Sequence, residues 1–148
     1  EPWSDKLWAD TQVAAKSHFE EVDGGVESKR KFDLDTNLMK YLDETRSLLI
    51  VTARLNGQFI GYFTWQMMPD VESAGLLIAQ QGAWYVNPGH PRSAVKLFDK
   101  SVEELKSRGI KCIFPHHRTQ GRGMNIGKFF ERRGAKLIQH TYSLWIGE

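Results

Sequence analysis

At 148 residues the chain has the length of one ordinary domain, and its 41% hydrophobic, 11% aromatic and 26% charged residues exclude a disordered or fibrous polymer. Lys and Arg number 20 against 18 Asp and Glu, a formal charge of +2, so no global field marks a nucleic-acid or membrane binder. The single cysteine, Cys112, excludes an internal disulfide, and the longest apolar run, Leu48 to Val51, is far short of the ~20 residues that span a membrane.

Glu1 to Asp5 carry no charged-then-apolar targeting pattern, so a cytoplasmic, reducing setting is the expectation. In chain order, Ser4 is the expected N-cap of a first helix. Trp8, Ala15, Phe19 and Val22 follow at helical spacing, and Gly24 and Gly25 stop it. After the charged stretch Glu27 to Lys31, Asp35 caps a shorter helix with Leu38, Tyr41 and Leu42 on one face. Leu48 to Arg54 and Gln58 to Met67 are β-rich runs joined at Asn56-Gly57, the dipeptide suited to a tight hairpin turn. Gly61 suggests a bulge or close backbone approach, and Gly82 predicts a kink in the long run Leu76 to Val86. Arg92 to Arg108 reads as the best-defined helix, with Ala94, Phe98, Val102 and Leu105 on one face, Lys100 and Glu104 paired on the other, and Gly109 as its stop. Ile110 to Phe114 is expected to be a buried strand, with Cys112 as a small hydrophobe within it. Asn125 to Arg133 reads as a short helix, and Leu137 to Ile146 as one or two terminal strands. The order strand, loop, helix, strand from Trp84 to Phe114 is a crossover unit, which sets two strands parallel and opens a ligand crevice at the carboxyl end of the first.

The kinked strand ending Trp84-Tyr85-Val86-Asn87-Pro88, the amphipathic helix after it, and Phe129-Phe130-Glu131-Arg132-Arg133-Gly134 together resemble the GNAT superfamily of acetyl-coenzyme-A-dependent N-acetyltransferases over nearly the whole chain. Locally, His18 to Val22, Val51 to Arg54, Gly61-Tyr62-Phe63 and His116 are similar to the acetyltransferase-like proteins of bacteriophages and prophages. The resemblance implies a single α/β (α+β) domain over residues 1–148. Its sheet would be mixed and mostly antiparallel, with a splayed parallel strand pair and about four flanking helices. It further implies acetyl-CoA as cofactor and transfer of its acetyl group to a primary amine on a small molecule or protein. Trp84, Tyr85 and Val86 would hold the pantetheine arm, and Gly89, His90, Arg92, Ser93 and Ala94 the pyrophosphate, at a helix N-terminus.

Two departures stand out. The phosphate loop is shorter and carries a single glycine and two prolines, Pro88 and Pro91, which donate no hydrogen bond. Phe130 stands in the cofactor site where many members of the superfamily have the tyrosine that protonates the departing thiolate. The catalytic candidates are therefore His116, just past a strand end with His117, Tyr85, and Glu20 beside Glu21 on the first helix, where a carboxylate would face the amine. Tyr142 is a further source of a proton. Each has a plainer reading as a solvated or hydrogen-bonded side chain. His18, Glu20 and His116 lack metal-ligand spacing, so no metal is expected.

From His116 to Lys136, Arg118, Arg122, Lys128, Arg132, Arg133 and Lys136 face Glu131 alone; the stretch suits a coenzyme phosphate, an acidic partner, or a basic face balanced by the first helix. Gly121-Arg122-Gly123 reads as a loop, not a dinucleotide fingerprint. The five tryptophans are scattered, which points to core packing, although Trp65 and Trp84 lie on strands able to flank an acceptor pocket. The competing reading is a catalytically inactive phage protein that keeps the scaffold to bind a host or virion protein. Nucleic acid and membrane are not expected partners, and the run Tyr142 to Ile146 offers an edge for a homodimer.

Overall fold

The computed structural model describes residues 1–23, 31–116 and 126–141. Helix α1 (Asp5–Asp23) starts where expected, the Ser4 hydroxyl accepting the Leu7 N–H at 3.1 Å. Helix α2 (Thr36–Glu44) is capped by Asp35, whose carboxylate accepts from the Leu38 amide at 2.8 Å. Strands β1 (Leu48–Leu55) and β2 (Gln58–Pro69) form the anticipated hairpin, with φ of 51° at Asn56 and 81° at Gly57, the left-handed pair that a two-residue turn requires. Strand β3 (Leu77–Val86) returns antiparallel to β2, and helix α3 (Pro91–Ser107) crosses to β4 (Cys112–Phe114), parallel to β3. Helix α4 (Ile126–Glu131) follows. The sheet order is β1-β2-β3-β4.

Alternation along the strands sends two apolar sets to opposite faces. Leu49, Phe63, Trp65, Met67 and Ala79 meet Leu97, Phe98 and Leu105 of α3 and Phe130 of α4. Leu48 and Ile50 meet Leu7 of α1, with Trp3, Met39 and Leu42 at the margin. The buried side of α1 is Leu7, Thr11 and Ala14, about one residue round from the expected stripe through Trp8 and Ala15, which are half-buried. Small side chains at Thr11 and Ala14 let the helix approach the sheet, and the Thr11 hydroxyl is satisfied by the Trp8 carbonyl at 3.4 Å. An ion pair between Arg54 and Asp10, 2.8 Å, ties the same helix to the end of β1.

Three expectations are corrected. Cys112 is exposed; Ile110 ahead of β4, not Cys112 within it, is the residue that plugs the core. Of the terminal strands expected over Leu137 to Ile146, residues 137–141 carry none, with Leu137 and Ile138 70% and 69% exposed, and residues 142–146 lie outside the described residues. Trp65 is wholly buried against Phe63 and Phe98, so it packs the core and walls no acceptor pocket. Among the described residues no helix is long and apolar enough to cross a membrane.

Phe63 is fully buried and touches Trp65, Trp84 and Phe98 at ring distances of 4.9, 5.0 and 6.0 Å. Phe63→Ala is expected to lower unfolding free energy by about 3–5 kcal/mol in urea denaturation; a loss below about 1 kcal/mol would show that this column is not the core.

Candidate functional site

The parallel strands part early. β3 and β4 pair only through Ile78 with Cys112, Ala79 with Ile113 and Gln80 with Phe114. Pro115 then has no N–H to offer the ladder, and the His116 amide bonds instead to the side-chain oxygen of Gln81 at 3.1 Å. From Gln81 to Val86, β3 keeps β2 on one edge and, among the described residues, has no strand on the other. That edge is a row of backbone groups facing a crevice.

A bulge sits in the same segment. On β2 only Thr64 lies between the partners of Gln81 and Trp84, so Gly82 and Ala83 both oppose it. The Thr64 hydroxyl accepts the Ala83 N–H at 2.7 Å, taking over a lost ladder bond. A β-carbon on Gly82 would collide with that hydroxyl, which explains the glycine. The extra residue also switches parity: Ala79 points to the α3 face, but beyond the bulge so do Trp84 and Val86, while Tyr85 turns to the α1 face.

On the α3 face, the Trp84 ring lies among Phe63, Phe98, Phe129 and Phe130 at 5.0 to 6.1 Å. Its indole N–H is buried with no hydrogen-bond partner among the described residues. Phe130 is 6% exposed and packs on Phe98, so it serves as core and has no proton to give. Arg133 stacks on Phe129 at 3.8 Å and pairs with Asp99 at 3.1 Å.

On the α1 face, His18 lies 6.4 Å from Tyr62 and 5.9 Å from Tyr85, and the two tyrosine rings are 6.2 Å apart. Burial holds the Tyr62 phenol above its ordinary range, with Tyr85 adding to the shift; burial raises Tyr85 as well, followed by the charge of Glu21. Both phenols therefore stay protonated at neutral pH. Of the two helix carboxylates it is Glu21 whose charge reaches Tyr85, whereas Glu20 points to solvent, 3.9 Å from Lys16. His18 and Glu21 are three residues apart, a helical spacing that could have singled them out. Tyr62 follows from the hairpin register, as the cross-strand partner of Tyr85.

Beyond Val86 the chain turns at Gly89, φ 94°, into the first turn of α3. The His90 and Ser93 amides are engaged within the turn, with Asn87 and His90 carbonyls at 3.3 and 2.9 Å, and Pro91 has none. Among the described residues the amides of Gly89 and Arg92 make no bond, and the exposed Arg92 side chain stands beside them, with Ala94 half-buried behind. Trp84, Val86, Gly89, His90, Arg92, Ser93, Ala94 and Phe130 thus follow one wall from crevice to helix start, and Tyr85 faces the other way. His116 sits across the opening from Gln81. His117, Arg118, Gly121-Arg122-Gly123, Tyr142 and Trp145 lie outside the described residues. No cluster of metal-binding side chains occurs among the described residues.

No protein-family model matches the chain. No curated protein matches it either. Solved structures do. An aminoglycoside acetyltransferase from an uncultured soil sample superposes with a TM-score of 0.72 at 15% identity, over 97% of this chain and 93% of that one. A ribosomal-protein-alanine N-acetyltransferase from Brucella melitensis biovar Abortus 2308 gives 0.68 at 16%, over 97% and 91%. A predicted acetyltransferase from Clostridium acetobutylicum, solved with acetyl-CoA, gives 0.66 at 19%, over 97% and 93%. The fold is that of the GNAT acetyltransferases.

The GNAT fold makes the fit of coenzyme A a question for this chain's own groups. The open edge from Gln81 to Val86 suits an amide-bearing arm. The Gly89 and Arg92 amides with the Arg92 guanidinium suit a phosphate, through fewer donors than a glycine-rich loop would supply.

The tyrosine shifts have a consequence for stability. In the unfolded chain both phenols ionise near pH 10, whereas in the fold they hold their protons to higher pH, so their contribution is complete below that range and is lost as pH climbs through it. The urea midpoint is expected to fall as pH rises above about 10, and Tyr62→Phe to flatten that fall; an unchanged slope would contradict the burial of Tyr62.

Proposed function

We propose that this protein transfers an acyl group from a coenzyme A thioester to a primary amine. The observation that carries the reading is the crevice between β3 and β4. It has a backbone edge open to an extended ligand, an aromatic wall on the α3 face and proton-bearing side chains on the α1 face. The structural neighbours named as acetyltransferases support the same chemistry.

Bound acetyl-CoA would supply a thioester whose acyl carbon is open to attack. Trp84 and the β3 edge would hold the arm, with Gly89, His90, Arg92, Ser93 and Ala94 at its phosphate end. His116, beside the mouth of the crevice, would accept the proton that the amine nitrogen loses as it bonds to the acyl carbon. Tyr85, kept protonated by burial, would donate to the sulfur as the carbon–sulfur bond breaks, replacing the acid that Phe130 cannot be. Glu21, rather than the solvent-facing Glu20, would attract an ammonium to the opening.

Isothermal titration tests this reading. Acetyl-CoA is expected to bind with a micromolar Kd, about −8 kcal/mol, and Arg92→Glu to weaken it by about tenfold or more. In a thiol-release assay with amine present, Tyr85→Phe is expected to lower turnover by about 10²-fold or more while leaving acetyl-CoA affinity intact. Absence of acetyl-CoA binding would sink the proposal.

A second reading is favoured by the sparse phosphate loop and the buried Phe130: a phage or prophage protein that keeps the scaffold, without catalysis, to bind a host or virion protein. Failure of both acetyl-CoA binding and thiol release would shift support to it.

A further inference from the structure

Between α1, α2 and the sheet lies a cavity of about 180 Å³, on the face opposite α3. Trp3 and Trp8, their rings 6.0 Å apart, stand at its half-buried rim; Leu7 and Ile50 are buried in its floor; Tyr62 and Thr64 form its inner end. Among the described residues no Asp, Glu, Lys or Arg lines it. An apolar cavity of roughly 150 Å³ accepts a benzene ring, so this one has room for a single aromatic ring and little more. A polycationic acceptor would find no counter-charge in its wall.

The inner end of the cavity adjoins the crevice. Ala83, whose amide is held by Thr64, is in the wall and belongs to the open segment of β3. Tyr62, also in the wall, is the ring that contacts both Tyr85 and His18. A ligand whose ring sits between Trp3, Trp8 and Tyr62 therefore has its polar end, on a short alkyl arm, beside Tyr85 and His18. The Thr64 hydroxyl, accepting from Ala83, still has its own proton to donate.

We propose that this cavity selects the acceptor, and that the acceptor is a primary amine carrying one aromatic ring, the ring held under α1 and the amine at Tyr85 and His18. The proposal rests on the acyl-transfer reading and sharpens it. It distinguishes an arylalkylamine from sugar-like or polyamine acceptors, whose many charges need carboxylates.

The test uses 2-phenylethylamine and spermidine as probes against the full chain, followed by the indole N–H signals of Trp3 and Trp8 in NMR, with acetyl-CoA affinity measured separately by calorimetry. Phenylethylamine is expected to bind saturably, to shift both indole signals, and to bind about tenfold or more tightly than spermidine. Ala15→Phe, which fills the cavity from α1, is expected to weaken it by about tenfold or more and leave acetyl-CoA affinity within about twofold. If that variant does not fold, Trp8→Leu, at the half-buried rim, is expected to weaken phenylethylamine in the same selective way. Acetyl-CoA binding without phenylethylamine binding, or phenylethylamine binding with silent indoles, overturns the pocket. Ring binding in a protein that ignores acetyl-CoA overturns the acceptor role and the acyl-transfer reading together.

Discussion

Parallel pairing between β3 and β4 ends after three residue pairs, and the arrangement of the site follows from that short contact. Two strands that paired fully would close the sheet and bury every backbone group of Gln81 to Val86. Instead Pro115 removes a donor at the point of divergence and Gln81 substitutes a side-chain oxygen for a carbonyl, so the strands separate without leaving the His116 amide unpaired. The crevice is thus a consequence of hydrogen-bond arithmetic at two residues, with the α3 crossover holding the strands on either side.

The bulge at Gly82 and Ala83 adds the second constraint. It changes which side chains each face receives without breaking the pairing to β2. Trp84 joins the aromatic column that stabilises the α3 face, and Tyr85 meets Tyr62 and His18 under α1. Aromatic packing serves both faces, and on the α1 face it brings the phenols of Tyr62 and Tyr85 together with the imidazole of His18. Burial raises both phenols, Tyr62 further through Tyr85 and Tyr85 further through Glu21, and perturbed titratable groups gather at functional sites.

Much of this was legible in the residues. Asn56-Gly57 announced its turn, Asp35 and Ser4 their helices, and Gly82 a break in β3. The crossover from Trp84 to Phe114 announced a parallel pair and a crevice. The parity switch was not legible, because it depends on Thr64 reaching across to Ala83, a contact between strands nineteen residues apart in sequence. For the same reason the face of Tyr85 could not be assigned from alternation alone. Cys112 was misplaced because Ile110 to Phe114, apolar but for Lys111, reads as a buried strand, whereas only the three-residue β4 forms and its first residue lies at the surface. Glu21 and Glu20 are indistinguishable by composition; helical phase separates them, and that phase is fixed by the small residues with which α1 meets the sheet.

A strand that presents alternate residues to two separate faces also divides the routes by which the protein can change. Substitutions at Tyr62, Thr64 or the α1 residues above them alter one chamber, while the packing of Trp84, Phe98 and Phe130 on the other side of the same backbone is left as it was. A lineage built on this sheet is free to diversify one face by point mutation while the other stays under purifying selection, a modularity that the displaced register at Gly82 builds into a single strand.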